Sequence, residues 1–486
     1  MRLPPKPSPP DPLEKLLAAR ANSGLPDAII PHGQAVPLGV MVRGTLEWML
    51  DETALERLFQ EHAPEQYTRE LTISALVRLL IQVSAGARAS VFAAYQADQT
   101  SDQPTIGTTY QAVYRKLGRL NPAVSAAVVR HSAHCCRQLL ALMPAARAEP
   151  LAGYRTRVLD GNVLAGTEHR LTPLRRWLNA CLPGKSLVVY EPGLALVTDV
   201  VLCEDAYTQE RALLAHLLPR AQANDLFLAD RNFGTTRFVF GLQRQRAYVL
   251  VRQHRRTLPC RPLSELRLCG PTATGVVYAQ EVEALDAETN RPLRLRRLEV
   301  RLFEKTRDGE RIIALLANLP KKVPALRLAD LYLARWTIEK HFQFLTQSLH
   351  CELPGLGQPR AALFGFARAL LAANALAVVR ASLRSVHGAE AEAEVSGYYL
   401  ADEIAHDYRT LMKYLPAEQW QGWRQLSADD LAALLRSLAQ YVNLKALTRS
   451  RRGPKVPPKQ KRVYNPKHKH YSTARLLQGL EPEDSS

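Results

Sequence analysis

The segment YLARWTIEKHF, residues 332–342, sets three reactive side chains at close spacing: Tyr332, Arg335 and Glu339. Steps of three and four residues place them on one face of a helix, which Leu333, Trp336, Ile338 and Phe342 can anchor. Two more acids end strand-like runs, Asp160 in VLDGNVL and Asp230 in LFLADRNF. Taken singly each has an ordinary reading. Asp160–Gly161 is a turn pair, Asp230 a helix cap, and Glu339 half of a solvated ion pair with Arg335. Taken together they suggest more. Three crowded carboxylates repel unless cations lie between them, and oxygen-only ligands select Mg²⁺, with Mn²⁺ possible. Two such ions about 3.5–4 Å apart activate a water or a 3′-hydroxyl and stabilise the leaving oxygen of a phosphodiester.

Asp160 and Asp230 can meet only if the strands carrying them are neighbours. TRVLDGNVL, SLVVYEPG and LALVTDVVLCED read as three strands, the last two joined by a Pro-Gly hairpin signal. The helical run AYTQERALLAHLL, the strand DLFLADRNF, the helical run TTRFVFGLQRQR and the strand RAYVLVRQH follow. Three adjacent strands and then alternating helices and strands is the order of a ribonuclease H-like mixed sheet, where strands one and four lie side by side. The expected class is therefore α/β, with a ribonuclease H-like core over residues 151–254 and 321–385. A β-rich insertion over 255–320 interrupts it, and the segment bearing Glu339 returns as one helix. Helical regions are expected over 27–150 and 386–445, with a Pro-rich flexible leader at 1–26 and a basic disordered tail at 446–486.

The chain has 486 residues, 47% of them hydrophobic, enough for about two to four domains. Its formal charge of +18 implies a polyanionic partner, nucleic acid first and an anionic membrane surface a weaker second. Arg231, Arg237, Arg252 and Lys340 are the candidates for local strand contacts. Arg451, Arg452, Lys455, Lys459, Lys461 and Arg462 in the tail suit nonspecific phosphate binding. Seven cysteines without a C-x-x-C read as reduced thiols of a cytoplasmic protein. The apolar run 363–383 carries Arg368 and Arg380 and reads as a core helix, so no membrane partner is expected. Gly184–Lys185–Ser186 lacks the earlier glycine of a phosphate loop and precedes a strand, so no nucleotide site is expected. Asp199, Glu204 and Asp205 read as structural acids, and His169, His254 and His341 as surface or phosphate contacts.

Four pieces of this sequence carry a family resemblance. Asp160 in a D-G-N setting, LPGKSLVVYEP, Asp230 in A-D-R-N-F, and Y-x-x-R-W-x-I-E together resemble the DDE transposases of bacterial insertion sequences, in the IS4 group. That group's signature runs Tyr, two residues, Arg, three residues, Glu, six residues, Lys. Tyr332, Arg335 and Glu339 match by position, and Thr346 stands where the Lys would be. The resemblance implies that Asp160, Asp230 and Glu339 hold two Mg²⁺ ions, with Arg335 and Tyr332 against the phosphate of a DNA end. It implies cleavage of the element's terminal inverted repeats and joining of 3′-hydroxyls to target DNA, by a homodimer with a helical N-terminal end-binding domain. A metal-dependent nuclease of the same fold, or a decayed protein that binds inverted repeats without cutting, are the alternatives.

Overall fold

The structure is a computed structural model that describes residues 29–449, except 67–69, 102–103, 145–146, 165–170, 172–181, 287–288, 307–308, 350, 352, 354 and 416. The expected leader and the six basic tail residues lie outside the described residues.

The strands that carry the aspartates are built from short runs buried on both faces. β1 (Arg155–Val163), β2 (Lys185–Glu191) and β3 (Leu196–Cys203) form an antiparallel meander. The turn after Glu191 is closed by Leu194 N–H donating to the Glu191 carbonyl. β4 (Asp225–Ala229) and β5 (Tyr248–Arg252) then add in parallel to β1. Their connections are helical, as parallel pairs require. The strand order 3-2-1-4-5 thus places β1 beside β4.

Beyond β5 the sheet does not stop. β10 (Ile312–Ala317) pairs antiparallel with β5 on one side and with β9 (Pro292–Leu302) on the other. β8 (Gly275–Leu285), β6 (Arg261–Pro262) and β7 (Arg267–Pro271) complete a ten-stranded mixed sheet. β10 bridges these strands to β5, so they continue the same sheet. β8 and β9 alternate buried and half-exposed residues, the pattern of a sheet half covered by other elements.

Helices wrap this sheet. The N-terminal set is α1 (Ile29–Ala35), α2 (Pro37–Met49), α3 (Glu52–His62), α4 (Ile73–Ser84), α5 (Val91–Gln99), α6 (Tyr110–Arg119) and α7 (Pro122–Ala141). α8 (Glu210–Leu217) and α9 (Thr236–Arg244) link the strands; α10 (Ala325–Tyr332) and α11 (Trp336–Ser348) follow β10. The C-terminal set is α12 (Pro359–His387), α13 (Ala389–Ala393), α14 (Gly397–Tyr414), α15 (Gln421–Arg424) and α16 (Ala428–Ala439).

α12 is the spine. Its most apolar window is buried throughout, and it packs on α7, β3 and the N-terminal helices. Its polar groups are satisfied inside. Asn374 accepts from the Val197 N–H at 2.8 Å and donates to Val197 O and Ser132 Oγ, while Arg368 donates to Leu80 O at 2.8 Å. The N-terminal helices thus share a core with the sheet, and the described residues up to Thr448 form one compact unit.

Several arginines fasten this assembly. Asp199 holds Arg130 and Arg220, Asp225 holds Arg157 at 3.1 Å, and Glu191 takes Arg137 through two bonds. Asp199 is structural, as expected. Close packing also leaves no slack between α2 and α15. A methyl added at Gly44 would lie 2.0 Å from the Trp423 ring. Trp423 is fully buried and cannot step aside, so Gly44→Ala should destabilise the fold by about 3 kcal/mol, the upper range of overpacking. Urea denaturation would measure this; a variant as stable as the parent would contradict the packing described.

Candidate active site

Strand register brings the two aspartates together. In the parallel β1–β4 pair Leu159 faces Ala229, so Asp160 and Asp230 follow at the same level. Val158 and Leu228 pack into the core cluster beneath the large helical layer, and Leu159 and Ala229 into the opposite one. Alternation turns Asp160 and Asp230 toward the helical layer, where Ile338 of α11 is buried. Both stand just past the carboxyl end of the parallel β1–β4 ladder, the usual side for ligands in α/β sheets.

The third acid arrives on a broken helix. α10 ends at Tyr332, residues Leu333–Arg335 form a 3₁₀ turn, and α11 starts at Trp336. The expected single helix over this segment is therefore two helices with a tightened joint. The joint keeps the side chains convergent. Arg335 reaches Glu339 Oε1 at 2.8 Å and Asp160 Oδ2 at 3.6 Å, with only 11% of its side chain exposed.

Electrostatics support one cluster. Burial pushes the Asp160 carboxyl up to about 6; Arg335 and the Gly161 N–H pull against this, and Asp230 and Glu339 add to it. Burial also works against the Arg335 charge, but Tyr332, Glu339 and Asp160 outweigh it and hold the guanidinium above its ordinary value. Asp230 itself caps the short 3₁₀ helix Arg231–Phe233 by accepting from the Asn232 N–H.

Tyr332 is turned inward. It is buried, its hydroxyl donates to the Ala229 carbonyl at 3.3 Å, and burial raises it to about 12. The phenol ties α10 to the end of β4 next to Asp230. Arg231 and Arg252 both pair with Glu310. Arg237 lines a separate hollow with Leu218, Gly241 and Arg244, and Lys340 is exposed on α11. His341, expected at the surface, instead stacks on Tyr190 with ring centroids 4.8 Å apart, and burial lowers it to about 4.

One neighbour escaped the sequence reading. Glu210, in the first turn of α8, accepts from Asn232 Nδ2 at 3.0 Å, and its carboxylate lies against Gly161. It lies on the sheet face that Gly161 presents, opposite the one to which Asp160 turns. Its only sequence signal was a glycine after Asp160, which leaves the space.

The donor set, all carboxylate, suits a hard divalent cation. The side-chain arrangement does not yet form a cage. Among the described residues no group of three or more His, Cys, Asp or Glu is disposed to hold a metal ion. Arg335 supplies the countercharge between Asp160 and Glu339, and a cation would take these oxygens only by displacing it.

Comparison with known families bears on this site. Residues 153–374 match the family model of the transposase DDE domain. That match supports a DDE transposase. The DDE segment runs from β1 into α12 and includes Asp160, Asp230 and Glu339. Among solved structures, the chain is similar to a piggyBac transposase synaptic complex with hairpin DNA, determined by cryo-EM. The identity is 10% and the TM-score 0.37, over 84% of this chain and 82% of that one. So distant a likeness bears no weight for the DDE segment. No curated protein matches the chain.

Proposed function

We propose that the protein is a DNA transposase of the IS4 type, built on a ribonuclease H-like core. In this reading it cleaves the terminal inverted repeats of its own element and joins the freed 3′-hydroxyl ends to target DNA. The observation that supports it is Arg335 bridging Asp160 and Glu339, with Asp230 level with Asp160 on the neighbouring strand, inside a segment that matches a transposase DDE domain. Asp160, Asp230 and Glu339 would hold two Mg²⁺ ions, or Mn²⁺, and the chemistry these would supply is activation of the attacking oxygen and stabilisation of the leaving one. Arg335, released from its carboxylates, would turn to the scissile-strand phosphate, since a planar fork suits phosphate as well as carboxylate. Tyr332 would keep the α10–α11 joint fixed to β4. Exposed Lys340 and the tail lysines and arginines would contact the backbone nonspecifically. The working form would be a homodimer that pairs two DNA ends in the cytoplasm.

A joining assay with pre-cleaved 3′-hydroxyl ends tests this against the nuclease reading. Mg²⁺-dependent joined product is expected, and it should disappear in Glu339→Gln. Cleavage without joined product would assign a nuclease, and neither activity would assign a decayed DNA-binding protein. Thr346 on α11 donates to Phe342 O at 3.1 Å and extends no charge. Thr346→Lys should therefore raise joining several-fold, about the value of one added phosphate contact at low salt. An unchanged rate would mean another side chain already makes the contact.

A further inference from the structure

A cavity of about 660 Å³ lies between α2, α4 and α5 on one side and the end of α14 on the other. At its base Arg43 and Arg78 share the buried Glu47 carboxylate with Arg424, which does not itself line the cavity. Arg43 reaches Glu47 Oε1 at 2.5 Å, while Arg424 and Arg78 reach Oε2 at 2.9 and 3.5 Å. Three positive charges against one negative leave an excess of two, in a half-buried place. Burial alone would raise Glu47, but Arg43, Arg78 and Arg424 outweigh it and hold the carboxyl below its ordinary value, so it stays ionised.

The three arginines are not equivalent. Arg43 is fixed by the Tyr408 hydroxyl at 2.7 Å and lies 5.5 Å from the centres of the Tyr408 and Trp420 rings. Arg424 makes two bonds to Oε2. Arg78 has the longest approach, too long for a hydrogen bond, and burial together with Arg424 and Arg43 lowers it against the pull of Glu47 and Glu52. Asp98 also lines the cavity, but its oxygens accept from Thr105 and Ile106 and hold their own loop. Glu418 is exposed at the mouth, where Arg88 and Lys413 add two exposed cations.

A partly desolvated positive excess calls for an anion. Guanidinium forks favour planar or tetrahedral oxyanions that accept two parallel bonds. The remaining wall sets apolar Leu46, Ile81, Leu411 and Leu415 beside polar Gln82, Thr100 and Ser101, and the volume exceeds that of a bare phosphate. We propose that this cavity binds a phosphate monoester dianion carried on a nucleotide. It is a site apart from the acidic cluster, and it stands whether or not that cluster cuts DNA. A free mononucleotide and the 5′-phosphorylated terminal nucleotide of a single strand share this chemistry.

Calorimetry on the full chain at fixed ionic strength tests it with four probes: dAMP, deoxyadenosine, and a trinucleotide with or without a 5′-phosphate. Each phosphorylated probe should bind about tenfold or more tightly than its unphosphorylated partner, the value of one charge-assisted bond pair. The tighter of the two phosphorylated probes identifies the source. Arg78→Gln should remove most of that advantage. If that variant does not fold, Lys413→Glu at the exposed mouth decides, with an expected loss of about fivefold. Equal binding of phosphorylated and unphosphorylated probes would overturn the proposal, as would full affinity in a folded Arg78→Gln or in Lys413→Glu. The cluster would then be a fastener, like Glu392, which also holds three arginines, Arg147, Arg380 and Arg384.

Discussion

Asp160→Asn is expected to lose DNA cleavage by about 10³-fold or more while making the metal-free fold more stable above about pH 6. The two effects have one cause. Burial raises the Asp160 carboxyl to about 6, above its unfolded value near 4, so the folded chain binds the proton more tightly. The contribution of such a group to stability is fully present below the unfolded value and is lost as pH rises through the folded one. Ionised Asp160 is therefore a burden at neutral pH, even with Arg335 beside it. Asparagine keeps the shape without the charge, and the gain at pH 8 should be on the order of 1–3 kcal/mol. Urea denaturation of both proteins in chelator, at pH 4 and pH 8, reads it directly. The parent should weaken between these points relative to the variant. A variant that is less stable at pH 8, or one that still cuts, would contradict a strained carboxylate kept for chemistry.

The sequence made some of this legible because the relevant signals are local. Five short apolar runs with turn residues between them announce β1 to β5, and their order alone makes β1 and β4 neighbours. From that adjacency the pairing of Asp160 with Asp230 follows. What stayed hidden depends on distant partners. The run IIALLA of β10 looks like any buried strand, and nothing local says that it pairs with β5 and joins both halves into one sheet. Glu47 and Arg424 are 377 positions apart, and their bond exists only because α2 and α15 pack through Gly44 and Trp423. The same reason limits the charge argument. A surplus of basic residues reads as a polyanion partner, yet many arginines here lie on buried carboxylates at Asp199, Asp225, Glu191 and Glu392. The 3₁₀ joint at Leu333–Arg335 was also invisible, since YLARWTIE contains no helix breaker.

Arg335→Ala should separate the two roles that this joint gives its guanidinium. In the metal-free fold Arg335 neutralises Asp160 and Glu339, and removing it from a pair that is only partly buried costs about 1–3 kcal/mol. The loss should grow with pH, because the carboxylates are then charged and unscreened; without the guanidinium Asp160 would rise further still. Added Mg²⁺ should reverse it. A cation that no longer competes with a side chain for these oxygens binds more tightly, and ligand binding to the folded state raises stability by mass action. The melting temperature of Arg335→Ala should therefore climb more steeply with Mg²⁺ than that of the parent, although cleavage falls by about 10²-fold or more. Arg335→Lys should lie between the two, since an ammonium keeps the charge but cannot span both carboxylates with a planar fork. Equal Mg²⁺ dependence in parent and alanine variant would mean that the arginine does not stand in for the cation. A steeper response together with lost cleavage would mean that one side chain guards the acids when they are empty and serves the DNA phosphate when they are filled.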